Sequence, residues 1–431
     1  MNAQLCAPAS YAQEGIWFET LRGDAAGAYH EPLLLRFAAR PDPARLRAAL
    51  DAVILRHAAL RTVFYADAGG LRQRVLAAAP LAPAQLVPQL VPEARLAAHL
   101  DALGAEPFDL ERGPLFRVHL IALEQGAHLL LLVAHHCIVD GWSLGVFCRD
   151  FSAFYNAWPQ QPALPVLSRQ SLDHGRRQRA SMAGPEAART LSYWKDSLAG
   201  IPAAPLFAPL ATAAAGAGQL PCDIPAAQQQ AVLALARRLH TTPFCLLLGV
   251  FASVLTQLTG RSDLTIATDV AERGMRGDED LIGMFVNQLP LRLRCGQARS
   301  GRDFVVLARD ACLGGILHKD APYALIRRQS ARDGGASGAD FQVKFVLHNA
   351  PHQQLDLPQL DAQLVDTPQR SAKFPLLLEF WQHGEQMRGT LVYHRGYIAP
   401  ALAAELCARM LASLGQVLAD PDAPLAAAAA P

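Results

Sequence analysis

The sequence predicts an α/β protein of two lobes, each carrying a similar series of helices and strands, with a cleft between them. Three observations carry this. The chain has 431 residues, too many for one ordinary core. Short apolar runs of strand length alternate with longer segments of helical periodicity. The alternation breaks at residues 159–165, PQQPALP, and a second series begins near Pro225.

The elements follow in order. Residues 41–60 read as a helix: Pro43 suits a first turn, and Leu46, Leu50, Val53, Ile54 and Leu60 form an apolar face. Residues 115–123 and 126–134 read as paired strands around a turn at Glu124-Gln125-Gly126. The second contains the apolar block Leu129 to Val133, which reads as a buried strand. A helix from Trp142 to about Trp158 follows, with Leu144, Phe147, Phe151 and Phe154 three or four apart. Residues 168–189 are polar, Arg-rich and partly helical; 202–218 read as a loop or an edge strand. In the second series, 226–240, 243–258, 302–317 and 401–418 are helices, and 263–270, 285–294 and 341–347 are strands. Residues 331–340 are glycine-rich and expected to be mobile, and the tail 425–431 is of low complexity.

Composition excludes several function classes. With 51% hydrophobic and 18% charged residues and a net charge of +1, the chain is neither disordered nor a nucleic-acid binder by charge. No apolar run reaches the roughly 20 residues that span a bilayer, so no membrane role is expected. The N-terminus lacks a signal-peptide pattern. Eight cysteines without CxxC spacing read as reduced thiols of a cytoplasmic protein, with no metal site.

Chemistry concentrates in residues 134–143, AHHCIVDGWS. Two histidines, an aspartate and a glycine occupy a tight strand-to-helix connection, where a rigid scaffold presents reactive groups. A buried, hydrogen-bonded His pair is the bland alternative.

Several separated blocks then resemble one family. They are residues 10–18 (SYAQEGIWF), 56–64 (RHAALRTVF), 107–110 (PFDL), 113–117 (GPLFR), 135–143 (HHCIVDGWS), 193–196 (YWKD) running to Gly200, 282–292 (IGMFVNQLPLR), 318–323 (HKDAPY), and 341–343 with 349–351. In this order they resemble a condensation domain of nonribosomal peptide synthesis, within the chloramphenicol acetyltransferase-like acyltransferases. The resemblance covers nearly the whole chain. It departs at Gln288, Lys319, Asp269, Glu272 and around Asp173-His174-Gly175, which bears on substrate preference more than on activity.

The resemblance implies mixed α/β sheets in two acyltransferase-like lobes, 1–176 and 177–431, arranged as a V-shaped pseudo-dimer with the active site in a tunnel between them. It implies transfer of an acyl chain from a carrier-protein phosphopantetheine thioester to an amine or hydroxyl. The product is an amide or ester in nonribosomal peptide or hybrid polyketide biosynthesis, with chain release among the possible steps. A thioester is already activated, so no bound cofactor or metal is required. The partners are a donor carrier protein, peptidyl or acyl, and a small-molecule or carrier-bound acceptor. The chain is expected to act as a monomer. Its boundaries lead us to expect a free-standing enzyme.

Site roles are carried over in the same way. His136 handles the proton, either as a base or by orienting the nucleophile. His135 packs inward and shapes the loop. Asp140 forms a buried ion pair that locks the loop, with Arg292 the first expected partner and Arg61 the second. Gly141 either offers its N–H to the developing oxyanion or only serves the turn. Trp142, Ser143 and Asn287 are expected against substrate. An epimerisation domain shares the motif, but the block 282–292 favours condensation. A heterocyclisation domain carries Asp at the first motif position, which His135 argues against. A catalytically silent domain that recruits carrier proteins is the rival from a different class.

Overall fold

The computed structural model describes residues 5–22, 27–81, 86–211, 216–332, 341–348, 355–367, 371–384 and 386–425. They form two compact units of mixed α/β structure. The first holds Met1–Gly184, Ala271–Val286 and Ala350–Pro368; the second holds Pro185–Val270, Asn287–Asn349 and Gln369–Pro431. This corrects the expected division at 176/177 in two respects. That point falls inside the helix Leu172–Met182, whose residues Leu172, His174, Gly175 and Gln178 are buried. A Cβ on Gly175 would sit 2.4 Å from the Pro8 carbonyl oxygen, so this helix packs hard on the N-terminal strand Cys6–Pro8. The chain after the boundary is also not contiguous, because two of its segments belong to the first unit.

The first unit is built on a five-stranded sheet in the order Ala362–Val365, His30–Phe37, His128–His135, Phe116–Leu123, Gln89–Val91. All neighbours are antiparallel except the last pair. The strand His128–His135 is buried at every position, which explains its unbroken apolar sequence. Leu130, Leu132 and Ala134 join a core with Leu46, Leu50, Phe147 and Phe151. Leu129, Leu131 and Val133 join a second core with Ile121, Leu34 and Val91, against which Leu96 and Leu100 of the helix Glu93–Ala105 pack. A three-stranded sheet orders Cys6–Pro8, Gly70–Val75 and Thr62–Asp67.

The expected helices form with small shifts. One is Pro43–Arg56, where Asp42 caps the Arg45 N–H at 2.8 Å; the other is Gly141–Ala157. The Arg-rich stretch forms the helices Leu172–Met182 and Pro185–Leu198.

The second unit holds a six-stranded sheet in the order Val286–Arg294, Asp263–Ala271, Val343–His348, Leu376–His383, Gln386–His394, Ala217–Pro221. The last is an edge strand that overlaps the stretch 202–218, read as a loop or an edge strand, only at residues 217 and 218. The hairpin Leu376–His394 was not legible from the sequence. Residues 333–340 of the glycine-rich stretch and 426–431 of the tail lie outside the described residues. The helix Pro400–Ala419 is long and apolar enough, by length and composition alone, to cross a bilayer. Its Leu406, Met410, Leu414 and Val417 are buried in the core of this unit, which accounts for that apolarity.

The helices Pro243–Thr259 and Gly301–Leu317 meet at Gly249, where an added Cβ would lie 2.8 Å from the Val305 backbone. Backbone cannot move aside as a side-chain tip can. We therefore expect Gly249→Ala to destabilise the protein by about 1–3 kcal/mol, read by denaturant unfolding.

Candidate functional site

The loop from His135 to Asp140 is pinned from both sides of the sheet. The His135 N–H donates to the Leu115 carbonyl and the His136 N–H to the Tyr29 carbonyl, at 2.9 and 2.8 Å. Gln13, on the helix Tyr11–Arg22, donates its side-chain amide to the Cys137 carbonyl at 3.0 Å. Cys137 itself is buried, and burial pushes its thiol far above the ordinary range, so it is no nucleophile.

The two histidines are held as opposite tautomers. His136 Nδ1 lies 2.7 Å from the Val139 carbonyl, which can only accept, so Nδ1 carries the proton. Its Nε2, the nitrogen left unprotonated whenever the ring is neutral, lies 3.7 Å from Glu31 Oε1. His135 is fully buried, and its Nδ1 accepts the Cys137 N–H at 3.2 Å. Its proton therefore sits on Nε2, 3.3 Å from the Thr20 hydroxyl, which itself donates to the Ile16 carbonyl. His135 is thus buried within the loop, whereas the His136 ring is partly exposed.

Asp140 is the N-cap of the helix Gly141–Ala157 and is buried. It accepts from the Ser143 N–H at 2.8 Å and from the Phe285 N–H at 3.1 Å. Its ion-pair partner is Arg273, with Nη2 at 2.8 and 3.1 Å from the two carboxylate oxygens. The Arg273 side chain is 4% exposed, so the pair is buried on both sides. Arg273 also donates to the Asp278 and Leu281 carbonyls and lies 4.2 Å over the Phe285 ring.

Neither expected partner reaches Asp140. Arg292 belongs to the sheet of the second unit. There it forms a two-pronged pair with Asp263 on the neighbouring strand, at 2.9 and 2.6 Å, and donates to the Ser197 and Ala199 carbonyls. Arg61 instead satisfies the Ile54 carbonyl at the end of the helix Pro43–Arg56 and the Leu76 carbonyl.

Two further expectations change. Ser143 is fully buried, and its hydroxyl lies 2.7 Å from Asp140 and 2.8 Å from the Gly283 carbonyl, so it is a structural bridge and not a substrate contact. Asn287 is also buried: it donates to the Lys319 and Ala321 carbonyls and accepts the Tyr323 N–H. With its amide thus engaged, Asn287→Ala is expected to cost about 1–3 kcal/mol of stability, measured by thermal unfolding, and to leave KM unchanged.

Gly141 and Trp142 begin the helix. A Cβ on Gly141 would meet nothing within 4 Å, and as the first helical residue its N–H has no acceptor in its own helix. Trp142 donates its indole N–H to the Glu279 carbonyl at 2.9 Å. That bond is one of several that fasten residues 271–286 to the first unit. Arg149 pairs with Asp280 at 2.5 Å, Arg177 with Asp278 at 2.9 Å, and His174 with Glu272 at 3.1 Å.

Below them Asp150, fully buried, accepts from Arg56, His57 and Arg149 at 2.8–2.9 Å. Burial alone would raise its carboxyl pKa. The hydrogen bonds from His57 and Arg149 outweigh that and hold it below the usual range. Burial lowers the His57 pKa in spite of Asp150.

Sequence reasoning did not single out Arg273, the ion-pair partner of Asp140, or Glu31, which lies near His136. The signal for the first was the charge-dense run AERGMRGDED from Ala271 between two apolar strands. For the second it was a lone carboxylate in the apolar strand His30–Phe37. Among the described residues no cluster of His, Cys, Asp and Glu could hold a metal ion.

The family profile for the condensation domain matches residues 3–430. The chain is 32% identical over 430 residues to the nonribosomal peptide synthetase CymA of Salinispora arenicola, covering 96% of this chain and 6% of CymA. It is 31% identical to the phosphinothricin tripeptide synthetase PhsC of Streptomyces viridochromogenes, covering 97% of this chain and 40% of PhsC. The crystal structure of the X-domain from teicoplanin biosynthesis superposes with a TM-score of 0.86 at 26% identity, covering 97% of this chain and 96% of that one. The chain belongs to the condensation-domain family of nonribosomal peptide synthesis. It spans only a small part of the large synthetases it matches.

Proposed function

We propose that the chain is an acyltransferase that moves an acyl group from a carrier-protein phosphopantetheine thioester to an amine or hydroxyl acceptor. The observation that carries this reading is the tautomer of His136: its Nδ1–H is spent on the Val139 carbonyl, which leaves a basic Nε2 on a partly exposed ring. The acceptor attacks the thioester carbon and passes its proton to His136 Nε2. The carbon–sulfur bond breaks, and the departing thiolate takes that proton back from the ring. Gly141, with an N–H unused by its own helix and open space beside its Cα, suits the developing oxyanion. Asp140 acts through the loop's geometry and is a positioning residue. The carrier protein supplies the thioester, and the enzyme works as a cytoplasmic monomer.

One observation favours a second reading, in which the chain recruits a partner protein without turnover. The X-domain of teicoplanin biosynthesis, to which this chain is similar, has been solved in complex with OxyB. Intact-protein mass spectrometry separates the two readings. A donor carrier protein bearing its acyl chain is incubated with the enzyme and with amine or alcohol acceptors. Loss of the acyl mass that depends on enzyme and acceptor supports transfer. Retention with every acceptor, by a folded protein that still binds the carrier, supports recruitment.

A further inference from the structure

We infer that Lys344 and Asp269 of the second unit form a substrate subsite for a neutral group that donates and accepts hydrogen bonds at once, a primary carboxamide. The inference rests on the acyl-transfer reading and names the class of substrate.

Lys344 lies in the strand Val343–His348, in the middle of the six-stranded sheet. Its neighbours Val343 and Phe345 enter the core of the unit, with Ile266 of one adjoining strand and Leu376 and Leu378 of the other. Successive side chains of a strand alternate, so Lys344 stands on the opposite face. It pairs in register with Ala267, and Asp269, two residues on, shares that face. Asp269 is also one of the positions at which the sequence departs from the family pattern.

The Lys344 ammonium sits 2.8 Å from Asp269 Oδ1 and 5.0 Å over the Phe374 ring. Charge is thereby balanced, but hydrogen bonding is not. Asp269 Oδ1 is buried and accepts no hydrogen bond among the described residues, so its contact with Lys344 is one of charge and not an aligned bond. Lys344 itself is only 8% exposed. The donors of a nearly buried ammonium and the acceptor beside it are thus not spent on each other, an arrangement that is costly unless a third group completes it. The other ion pair on this face differs: His348 and Glu379 meet in a hydrogen bond at 3.0 Å.

The missing group must accept from Lys344 and donate to Asp269. A primary carboxamide carries an acceptor oxygen and a donor nitrogen about 2.2 Å apart, by the bond lengths of an amide, so it meets both side by side. A carboxylate only accepts and is repelled by Asp269. An ammonium only donates and is repelled by Lys344. An alkyl group satisfies neither. The carboxamide of a glutamine or asparagine residue, borne by the acyl donor or by the acceptor, has the required chemistry.

The test has two arms, one for each source. In the first, the donor carrier bears the Nα-acetyl derivative of glutamine, glutamate, lysine or norleucine, and the acceptor is constant. In the second, the donor is constant and the acceptor is the methyl ester of the same four amino acids. Competition within each arm, read by mass spectrometry, gives the relative kcat/KM. The expected result is that wild type favours glutamine over the other three by about tenfold or more in one arm. The double variant Lys344→Met with Asp269→Asn keeps the shape and leaves no lone charge, and should lower the glutamine-to-norleucine ratio by about tenfold. Asp269→Asn alone leaves the ammonium uncompensated and should place glutamate above glutamine. Melting curves establish that each variant is folded. A wild type without preference for glutamine in either arm overturns the inference. So does an unchanged order in either folded variant, or a loss that falls equally on all four substrates, the mark of an ion pair that only supports the sheet. In each of these cases acyl transfer itself survives. A folded wild type that transfers nothing in either arm removes the acyl-transfer reading, and the inference with it.

Discussion

His136→Ala is expected to lower acyl transfer by roughly 10²- to 10⁴-fold, the usual cost of losing a positioned acid–base group. The melting curve should change little, because the ring is partly exposed and its 2.7 Å bond goes to a carbonyl in its own loop. Single-turnover transfer from a loaded carrier, beside thermal unfolding, reads both effects. His135→Ala is the contrasting case: that ring is fully buried, and its loss should appear first as lost stability. Near-normal transfer by folded H136A would remove His136 from the mechanism.

The second large effect concerns Asp140 and Arg273. Removing either leaves the other as a buried charge without its main partner, which typically costs about 3–5 kcal/mol. Asp140→Ala also removes the cap of the helix Gly141–Ala157, roughly another 1 kcal/mol. The double variant should be less destabilised than the sum of the singles, since no lone charge remains. Denaturant unfolding of the four proteins measures this coupling, with Arg292→Ala as the control that should show none. A D140A protein that melts like wild type yet has lost activity would instead mark Asp140 as acting on the reaction directly.

The fold was largely legible because its main elements announce themselves. The unbroken Leu129-to-Val133 run reads as a buried strand, and the Phe spacing after Trp142 is helical. The loop that holds His136 follows from that junction. The tautomers were not legible, since they depend on which carbonyl or N–H lies beside each ring nitrogen. The partner of Asp140 was not legible either. Arg292 and Arg273 are both arginines near a block boundary, and spacing does not say which carboxylate each meets. Arg292 is consumed by Asp263 across adjacent strands, whereas Arg273 sits in a segment that the fold returns to the first unit. Nothing in the sequence of the strand His30–Phe37 marks Glu31 as lying 3.7 Å from His136 Nε2.

The return of residues 271–286 and 350–368 to the first unit bears on how such domains are recombined. A chimera that exchanges only residues 1–184 would carry Asp140 away from its own Arg273. It would also set the strand His30–Phe37 beside a foreign edge strand in place of Ala362–Val365. Grafts of this lobe are better cut as three pieces than as one, with the two returning segments transplanted together with the histidine motif they support.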